Sequence, residues 1–267
     1  ERQSIQKETI EDLNLKLPEH LRQLFKNSAN NLTCKQAMKF FELLIEFQDI
    51  FAKNDFDLGL FNGAIKHEIQ TEGPKPAKQK LRRTPLKFEK EEHEHIQQML
   101  KKGIIQPSIS DHAASPVLVR KKDGGLRYCI DYRPLNQITI KDAFPIANIS
   151  DCLDTLRGST LMSSLDMAAG YWQLEIAEKD RYKTAFITKY GLFEHVRLSF
   201  GLCNSPATFS RVIQLVLQGL TWIECLAYLD DVIILGNGFE KHLENIKKVL
   251  RRFQQYNLKL KPQKCHF

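Results

Sequence analysis

The chain has 267 residues, enough for a substantial hydrophobic core in one or two domains. Its formal net charge of +7 is consistent with a polyanionic partner but does not specify one. Its six cysteines form no Cys-x-x-Cys pair, which argues against a zinc motif and favours a reducing intracellular compartment. No apolar run reaches about 18 residues, which argues against a membrane span or a signal peptide.

Residues 1–64 are predicted to form a helical N-terminal extension. A capping-box pattern at Thr33 and Gln36 predicts the start of an amphipathic helix that continues through Phe47. A shorter helix is predicted at about 18–25. The aromatic stripe on the longer helix is typical of core packing, so no catalytic role is expected in this extension.

Residues 75–88 form a basic segment with six Lys or Arg residues and no acid. Two interpretations stay open for it, an exposed flexible loop or a site of phosphate contact. A highly charged helix is predicted next, over 88–102. Gly103 should close that helix, because glycine readily adopts the left-handed conformation of a helix cap.

Strands and helices are then mixed without strict alternation. The patterns predict strands at 114–121 and 126–131 around a glycine turn, a helix at 149–156, and strands at 170–176, 184–188 and 192–197. A helix is expected from an N-cap at Ser205 with Pro206 in its first turn to Gly219, and a basic amphipathic helix at 239–256 stopped by Asn257. This order favours an α+β fold over a parallel doubly wound sheet.

The tetrapeptide Tyr228-Leu229-Asp230-Asp231 separates two apolar runs, which predicts a tight hairpin. Asp-Asp is a poor choice for a turn that favours Asn-Gly or Asp-Gly. Adjacent carboxylates on a largely buried hairpin also repel each other unless a cation lies between them. A solvated turn is the alternative, but oxygen ligands of this kind suit a hard divalent ion such as magnesium.

Asp166 favours the metal-site interpretation, because it ends a second strand-like run. A carboxylate at a strand end and a carboxylate pair at a hairpin tip can share one metal centre. Two-metal phosphoryl transfer uses carboxylates to hold two ions roughly 3.5–4 Å apart. The three acids are therefore candidate metal ligands for this chemistry.

Six segments in a fixed order give the chain a family resemblance. Together they resemble the reverse transcriptase of Gypsy-type long-terminal-repeat retrotransposons. They are residues 100–108, 115–125, 127–136, 165–171, 200–209 and the Tyr228-Leu229-Asp230-Asp231 hairpin.

The resemblance implies a right-hand polymerase with fingers and a palm built on an antiparallel sheet, at 65–267, with the thumb expected beyond the chain. Residues 1–64 then resemble the connecting region between protease and polymerase. The implied reaction is RNA-directed DNA synthesis with two Mg²⁺ ions, or Mn²⁺ as an alternative. The implied partners are an RNA template, a DNA primer, deoxynucleoside triphosphates and other Pol segments (protease, ribonuclease H and integrase).

The resemblance also implies roles for individual residues. Asp166, Asp230 and Asp231 are the expected catalytic metal ligands. Lys121 and Arg127 are expected to reach the incoming triphosphate, with a solvated hairpin tip as the alternative. Tyr171 and Phe200 are expected at the nucleotide sugar, where Tyr171 would exclude a 2′-hydroxyl unless it is a packed core tyrosine. The expected template-primer residues are Tyr228, Leu229, Gly201, Asn204, Ser205 and Pro206.

Two other functions compete with this one. The chain could be a catalytically silent nucleic-acid-binding remnant of a degenerate element, although its three carboxylates are intact. An RNA-templated RNA polymerase shares the palm, but Tyr171 argues against it because such an enzyme must admit the 2′-hydroxyl. If the element is active, the expected location is a cytoplasmic virus-like particle.

Overall fold

The computed structural model describes residues 9–73, 76–120, 126–145 and 148–267, without the side chains of Leu126, Arg127 and Ile149. The chain divides into two compact units. The first comprises residues 1–62, 146–169 and 213–267, and the second comprises 63–145 and 170–212. The separate extension expected at 1–64 stays a prediction.

Helices and antiparallel strands are mixed along the described chain, so the α+β expectation is confirmed. The helices are α1 (Ile10–Lys16), α2 (Glu19–Ala29), α3 (Cys34–Glu46), α4 (Glu89–Lys101), α5 (Arg133–Ile138), α6 (Ile149–Leu156), α7 (Ser205–Val216) and α8 (Phe239–Gln255). The strands are β1 (Ile105–Pro107), β2 (Pro116–Arg120), β3 (Leu126–Ile130), β4 (Leu161–Asp166), β5 (Phe186–Thr188), β6 (Gly191–His195), β7 (Cys225–Tyr228) and β8 (Asp231–Gly236).

The first unit is built on an antiparallel sheet with the strand order β4-β8-β7. Side chains alternate between its faces, so Ser163 and Leu165 of β4 share one buried face. That face packs against α8, where the Ser163 hydroxyl lies 2.7 Å from Nε2 of His242. The opposite face receives Asp166, which is paired directly with Asp231.

The N-terminal helices pack on the same unit. The capping box predicted at Thr33 and Gln36 is present and opens α3. The Phe40 ring lies 5.8 Å from that of Phe25 and 5.2 Å from that of Phe267. Lys39 pairs with Glu240 of α8 at 2.6 Å. Burial of these rings supplies most of the attachment, since exposed ion pairs contribute less than about 1 kcal/mol.

The second unit contains the sheet β1-β6-β5 and the hairpin β2-β3. The predicted charged helix is confirmed as α4, and Gly103 follows it with φ +62°. Tyr132 is fully buried, and its hydroxyl donates to the carbonyl of Thr184 at 2.9 Å. The glycine turn predicted between β2 and β3 lies outside the described residues.

Three of the element predictions were wrong in detail. Residues 170–176 are not a strand, because Ala169 has φ +45° and the chain folds into a 3₁₀ turn at Gly170–Gln173. The strand expected from 184 begins only at Phe186, after a 3₁₀ helix at Glu178–Thr184. Helix α7 ends at Val216 and is followed by turns, so it stops short of Gly219.

The structure also contains two helices that the sequence patterns did not predict. Helix α1 has a capping box between Thr9 and Asp12. Helix α5 has only six residues and a proline in its first turn. Both are too short to show a clear helical period in the sequence.

Candidate active site

The three candidate carboxylates come together at one edge of the β4-β8-β7 sheet. Asp166 is the last residue of β4 and Asp231 is the first residue of β8, and the two are directly paired. Directly opposed residues of an antiparallel pair project to the same face, with Cβ atoms about 4.5–5.5 Å apart. Asp230 precedes Asp231 in the connecting turn. The predicted hairpin is therefore present and brings its acids to the end of β4.

The turn of this hairpin consists of Leu229 and Asp230, flanked by the pair Tyr228 and Asp231. Leu229 has φ +54°, a left-handed conformation that costs a non-glycine residue roughly 1–2 kcal/mol. Asp231 belongs to β8 and not to the turn. The sequence thus accepts local strain at the point where the carboxylates meet.

The charges of this edge are only partly compensated. Burial, followed by the charges of Asp230 and Asp166, raises the pKa of Asp231 above its ordinary value. The Lys264 ammonium group donates to Oδ2 of Asp166 at 2.9 Å. That hydrogen bond, together with the three carboxylate charges, raises the pKa of Lys264.

Lys264, which no sequence pattern indicated, is brought to this edge by backbone pairing. His266 and Ser164 exchange two hydrogen bonds of 2.8 Å, and Lys261 N–H donates to the Asp166 carbonyl at 2.9 Å. The segment containing Lys264 therefore runs beside β4. A single lysine in a short irregular segment carries no periodic signal, so its partner could be found only from the fold.

The donor set fits a hard divalent cation, because it offers only carboxylate oxygens and has a partly uncompensated negative charge. Among the described residues, no three His, Cys, Asp or Glu side chains are already arranged around a metal position. One oxygen of Asp166 is instead hydrogen-bonded to Lys264. An ion at this edge would therefore have to compete with that ammonium group.

Tyr171 and Phe200 lie together in the second unit. Their ring centroids are 4.8 Å apart, and Tyr171 also meets the buried ring of Phe209 at 5.4 Å. Phe200 is 46% exposed. The three rings form a row from the core to the surface, which ends in an aromatic surface that can contact a ligand.

Gly201 and Asn204, which were predicted to contact template or primer, each have a structural role in this unit. Gly201 has φ +92°, and an added Cβ would lie 3.2 Å from the Ile130 carbonyl, so glycine is required there. The Asn204 amide accepts from the backbone N–H of Asp142 and donates to the carbonyl of Ile140.

Ser205 and Pro206 begin α7. The Ser205 side chain is buried and donates to the Ser199 carbonyl at 3.0 Å, while Pro206 is half-buried. Tyr228 and Leu229 are half-buried at the hairpin of the first unit. Contact of all these residues with template and primer stays a prediction.

Residues 79–82 of the basic segment line a groove of about 530 Å³ in the second unit. Arg82 and Arg133 both bond to the buried carboxylate of Asp131, at 3.0 and 2.7 Å. Hydrogen bonding to Arg133 lowers the pKa of Asp131 well below its ordinary value, against the opposing effect of burial. Two guanidinium groups share one carboxylate and Lys80 also lines the groove, so it carries an excess of positive charge.

Lys121 lies outside the described residues. Arg127 is paired with Val119 in the β2-β3 hairpin, but its side chain also lies outside the description. Their contact with a triphosphate stays a prediction.

Helix α8 is less available to polyanions than its sequence indicates. Lys247 pairs with Glu46 and Lys248 with Glu224, both at 2.5 Å. Arg251 also lies 3.5 Å from Glu46. These carboxylates neutralise much of the helix's positive charge, so the groove beside the basic segment is the better candidate for phosphate contact.

Known proteins similar to this chain include the polyproteins of transposons. The Retrovirus-related Pol polyproteins from transposons 297 and 412 of Drosophila melanogaster are 36% and 31% identical over 89% and 94% of this chain. The Tf2-3 polyprotein of Schizosaccharomyces pombe is 31% identical over 66%. The chain spans only 23% and 20% of the two Drosophila polyproteins.

Solved structures show the same fold. Native prototype foamy virus protease-reverse transcriptase superposes with a TM-score of 0.85 at 22% identity, covering 93% of this chain and 33% of that one. Foamy viral protease-reverse transcriptase in complex with an RNA/DNA hybrid gives 0.85 at 21% identity, covering 94% and 34%. The expected polymerase fold of fingers and palm is confirmed.

Residues 119–267, more than half of the chain, match the family model "Reverse transcriptase (RNA-dependent DNA polymerase)". The match includes β3, the aromatic row and all three carboxylates. The chain therefore belongs to the reverse transcriptase family, and its relatives are the Pol polyproteins of Gypsy-type retrotransposons.

Proposed function

We propose that this chain carries the RNA-directed DNA polymerase activity of a retrotransposon Pol polyprotein. The observation that carries the proposal is the convergence of Asp166, Asp230 and Asp231 at one sheet edge, with a raised pKa at Asp231. A structural sheet edge has no need for a strained turn that crowds three acids together. The proposed reaction is that of the reverse transcriptase family, and the carboxylates at the sheet edge are the residues proposed to perform it.

The three carboxylates would hold two Mg²⁺ ions, with Mn²⁺ as an alternative. When bound, such ions stabilise the charge that develops on the attacking and leaving oxygens of phosphoryl transfer. The carboxylates would position the ions, whose positive charge would offset the repulsion among the three acids. An ion held by Asp166 would compete with the Lys264 ammonium group for Oδ2 of that carboxylate.

The deoxynucleoside triphosphate would be recognised by Tyr171 and Phe200 through its sugar, and by Lys121 and Arg127 through its phosphates. Guanidinium groups bind phosphate oxygens in a bidentate manner, whereas an ammonium group acts as a point charge. The half-exposed ring of Phe200 supports this role, because a packed core ring would be fully buried.

An RNA template and a DNA primer would be held through their phosphate groups at the groove formed by Lys80, Arg82 and Arg133. Binding there would weaken as salt rises, because phosphate contacts release counterions. We also propose that the protease, ribonuclease H and integrase segments of the polyprotein act with this chain. Its proposed location is a cytoplasmic virus-like particle.

Primer extension on an RNA template tests the proposal. A Pol polypeptide containing this chain should synthesise DNA when magnesium is added. Asp230→Asn keeps the shape of the side chain but removes a metal ligand, so the rate should fall by about a thousandfold or more. Asp154→Asn, on the exposed face of α6, is the matched control and should leave the rate unchanged.

Two outcomes would contradict the proposal. Full activity of Asp230→Asn would show that this carboxylate is not a metal ligand. Binding of template-primer by the wild type without any extension would instead identify a silent nucleic-acid-binding protein.

A further inference from the structure

A single side-chain amide spans the loop that carries Phe200. Asn136 in α5 donates through Nδ2 to the Gly201 carbonyl at 2.8 Å. Its Oδ1 accepts from the backbone N–H of Cys203 at 2.9 Å. Both ends of the amide are therefore bonded to backbone groups two residues apart.

The loop needs such a support because of its own conformation. Gly201 has φ +92°, and the next residue, Leu202, is buried. Phe200 is half-exposed and meets Tyr171 on one side of its ring. Phe200 and Gly201 are adjacent in the chain. A shift of the Gly201 backbone would therefore move the Phe200 ring relative to Tyr171.

The two flanks of the loop are held by other groups. The Ser205 hydroxyl donates to the Ser199 carbonyl at 3.0 Å, before the loop's tip. The Asn204 amide is bonded to the backbone of Ile140 and Asp142, after it. Asn136 acts between these anchors, at the residues that follow Phe200.

The helix holds Asn136 in place. Its backbone N–H donates to the Tyr132 carbonyl at 2.8 Å, and the side chain of its neighbour Leu135 is buried. Tyr132 is itself fully buried. The amide therefore extends from a fixed element to a loop with little regular structure, which is the arrangement of a positioning group.

We propose that Asn136 is a positioning residue for nucleotide selection, which holds the 201–203 backbone so that Phe200 lies against Tyr171. This inference rests on the proposed polymerase function. Asn136 touches no nucleotide in this role. Its loss should therefore weaken nucleotide binding and sugar discrimination, while leaving the carboxylate chemistry intact.

Two substitutions of Asn136 test the proposal by steady-state kinetics. Asn136→Ala removes both bonds, whereas Asn136→Asp keeps an acceptor for Cys203 N–H but sets a carboxylate against the Gly201 carbonyl. In both variants KM for a deoxynucleotide should rise by about fivefold to tenfold, the factor expected from one or two neutral hydrogen bonds. The value of kcat should change by less than about twofold, because no group at the reacting atoms is lost.

Asn148→Ala is the matched control. Asn148 accepts a hydrogen bond from Ser150 N–H at the start of α6, so its loss removes a helix cap of similar chemistry. We expect it to lower thermal stability while leaving KM and sugar discrimination unchanged. A rise in KM for Asn136→Ala that Asn148→Ala shares would overturn the proposal, since both would then reflect general destabilisation.

Hydrogen exchange provides a readout that does not depend on activity. The Cys203 amide should exchange at least about tenfold faster in Asn136→Ala than in wild type, because its acceptor is gone. An unchanged exchange rate, or an unchanged KM in a folded variant, would overturn the assignment of Asn136 alone. A wild type that makes no DNA would overturn the polymerase proposal, and the inference with it.

Discussion

The carboxylate edge of the first unit and the interior of the second unit treat ionisable groups in opposite ways. Asp166, Asp230 and Asp231 are brought together with Lys264 as a counter-charge, so charge is concentrated where solvent can enter. In the second unit, burial lowers the pKa of His67 to about 4 and that of His195 to about 3. The carboxylate edge concentrates like charges that a cation would balance, whereas these two buried histidines are neutral at pH 7.

The carboxylate edge is thus arranged to bind a ligand, whereas the interior of the second unit is arranged to hold the fold. Local strain and repulsion at the hairpin reduce stability, and a ligand can recover that cost on binding. In the second unit, the neutral side-chain amides of Asn136 and Asn204 instead hydrogen-bond to backbone groups around the loop that carries Phe200. Metal dependence should therefore reside in the first unit, whereas the largest loss of stability in acid is expected from the buried histidines of the second.

The largest stability effect is expected at His195. Its folded pKa lies below the ordinary value of 6.5, so the folded state binds fewer protons than the unfolded state as pH falls below that value. Stability is therefore complete above about pH 6.5 and is lost below it, by about 2 kcal/mol at pH 5. His195→Phe should remove this part of the acid-induced loss and leave the part due to His67, as measured by urea unfolding at pH 7 and pH 5.

His93→Phe is the control for this experiment, because His93 is exposed. It should leave the difference between the two pH values unchanged. If His195→Phe also kept the full wild-type difference, acid sensitivity would not originate from this buried histidine.

A smaller effect is expected at the aromatic row. Tyr171→Ala should reduce the ratio of kcat/KM for a deoxynucleotide over its ribonucleotide by about tenfold, which corresponds to 1.4 kcal/mol of lost discrimination. The cause is removal of a steric clash with the 2′-hydroxyl. Tyr182→Ala, at an exposed tyrosine of the same unit, should retain the ratio.

An unchanged ratio for Tyr171→Ala, with normal folding and normal deoxynucleotide rates, would leave Tyr171 a packing residue. The aromatic row would then support the core without selecting the sugar.

The smallest effect is expected for Asp231→Asn without metal. The pKa of Asp231 is raised, so its ionisation destabilises the folded state once pH rises through the folded pKa. At pH 7 the variant should be more stable than wild type by less than about 1 kcal/mol, and the gain should vanish near pH 3. Added Mg²⁺ should stabilise wild type but not the variant, as followed by thermal unfolding.

A loss of stability for Asp231→Asn at pH 7 without metal would contradict this account of the hairpin. It would show that the carboxylate is satisfied by partners within the chain.

Local patterns predicted much of the fold. The capping box of Thr33, the left-handed glycine at Gly103 and the stop at Asn257 depend on short-range chemistry, and all three helices that they delimit are present. The hairpin of Asp230 and Asp231 could equally be predicted from the sequence, because two apolar runs flank its charged break. What these signals share is that their physical cause lies within a few residues.

The rest depended on contacts between distant residues. The turn at Gly170–Gln173 has the composition of a strand, but the φ of Ala169 redirects it. Lys264 meets Asp166 from 98 residues away, and Asn136 meets Gly201 from 65. Such partners leave no period or spacing in the sequence, so only the tertiary structure identifies them.

Direct binding of Mn²⁺ tests most directly whether the carboxylate edge is a metal site. Titration followed by electron paramagnetic resonance should show binding to wild type that Mg²⁺ displaces. Asp166→Asn and Asp230→Asn should each weaken that binding by at least about tenfold, whereas the control Asp154→Asn should bind as wild type does. Unchanged Mn²⁺ affinity in both ligand variants would contradict the account.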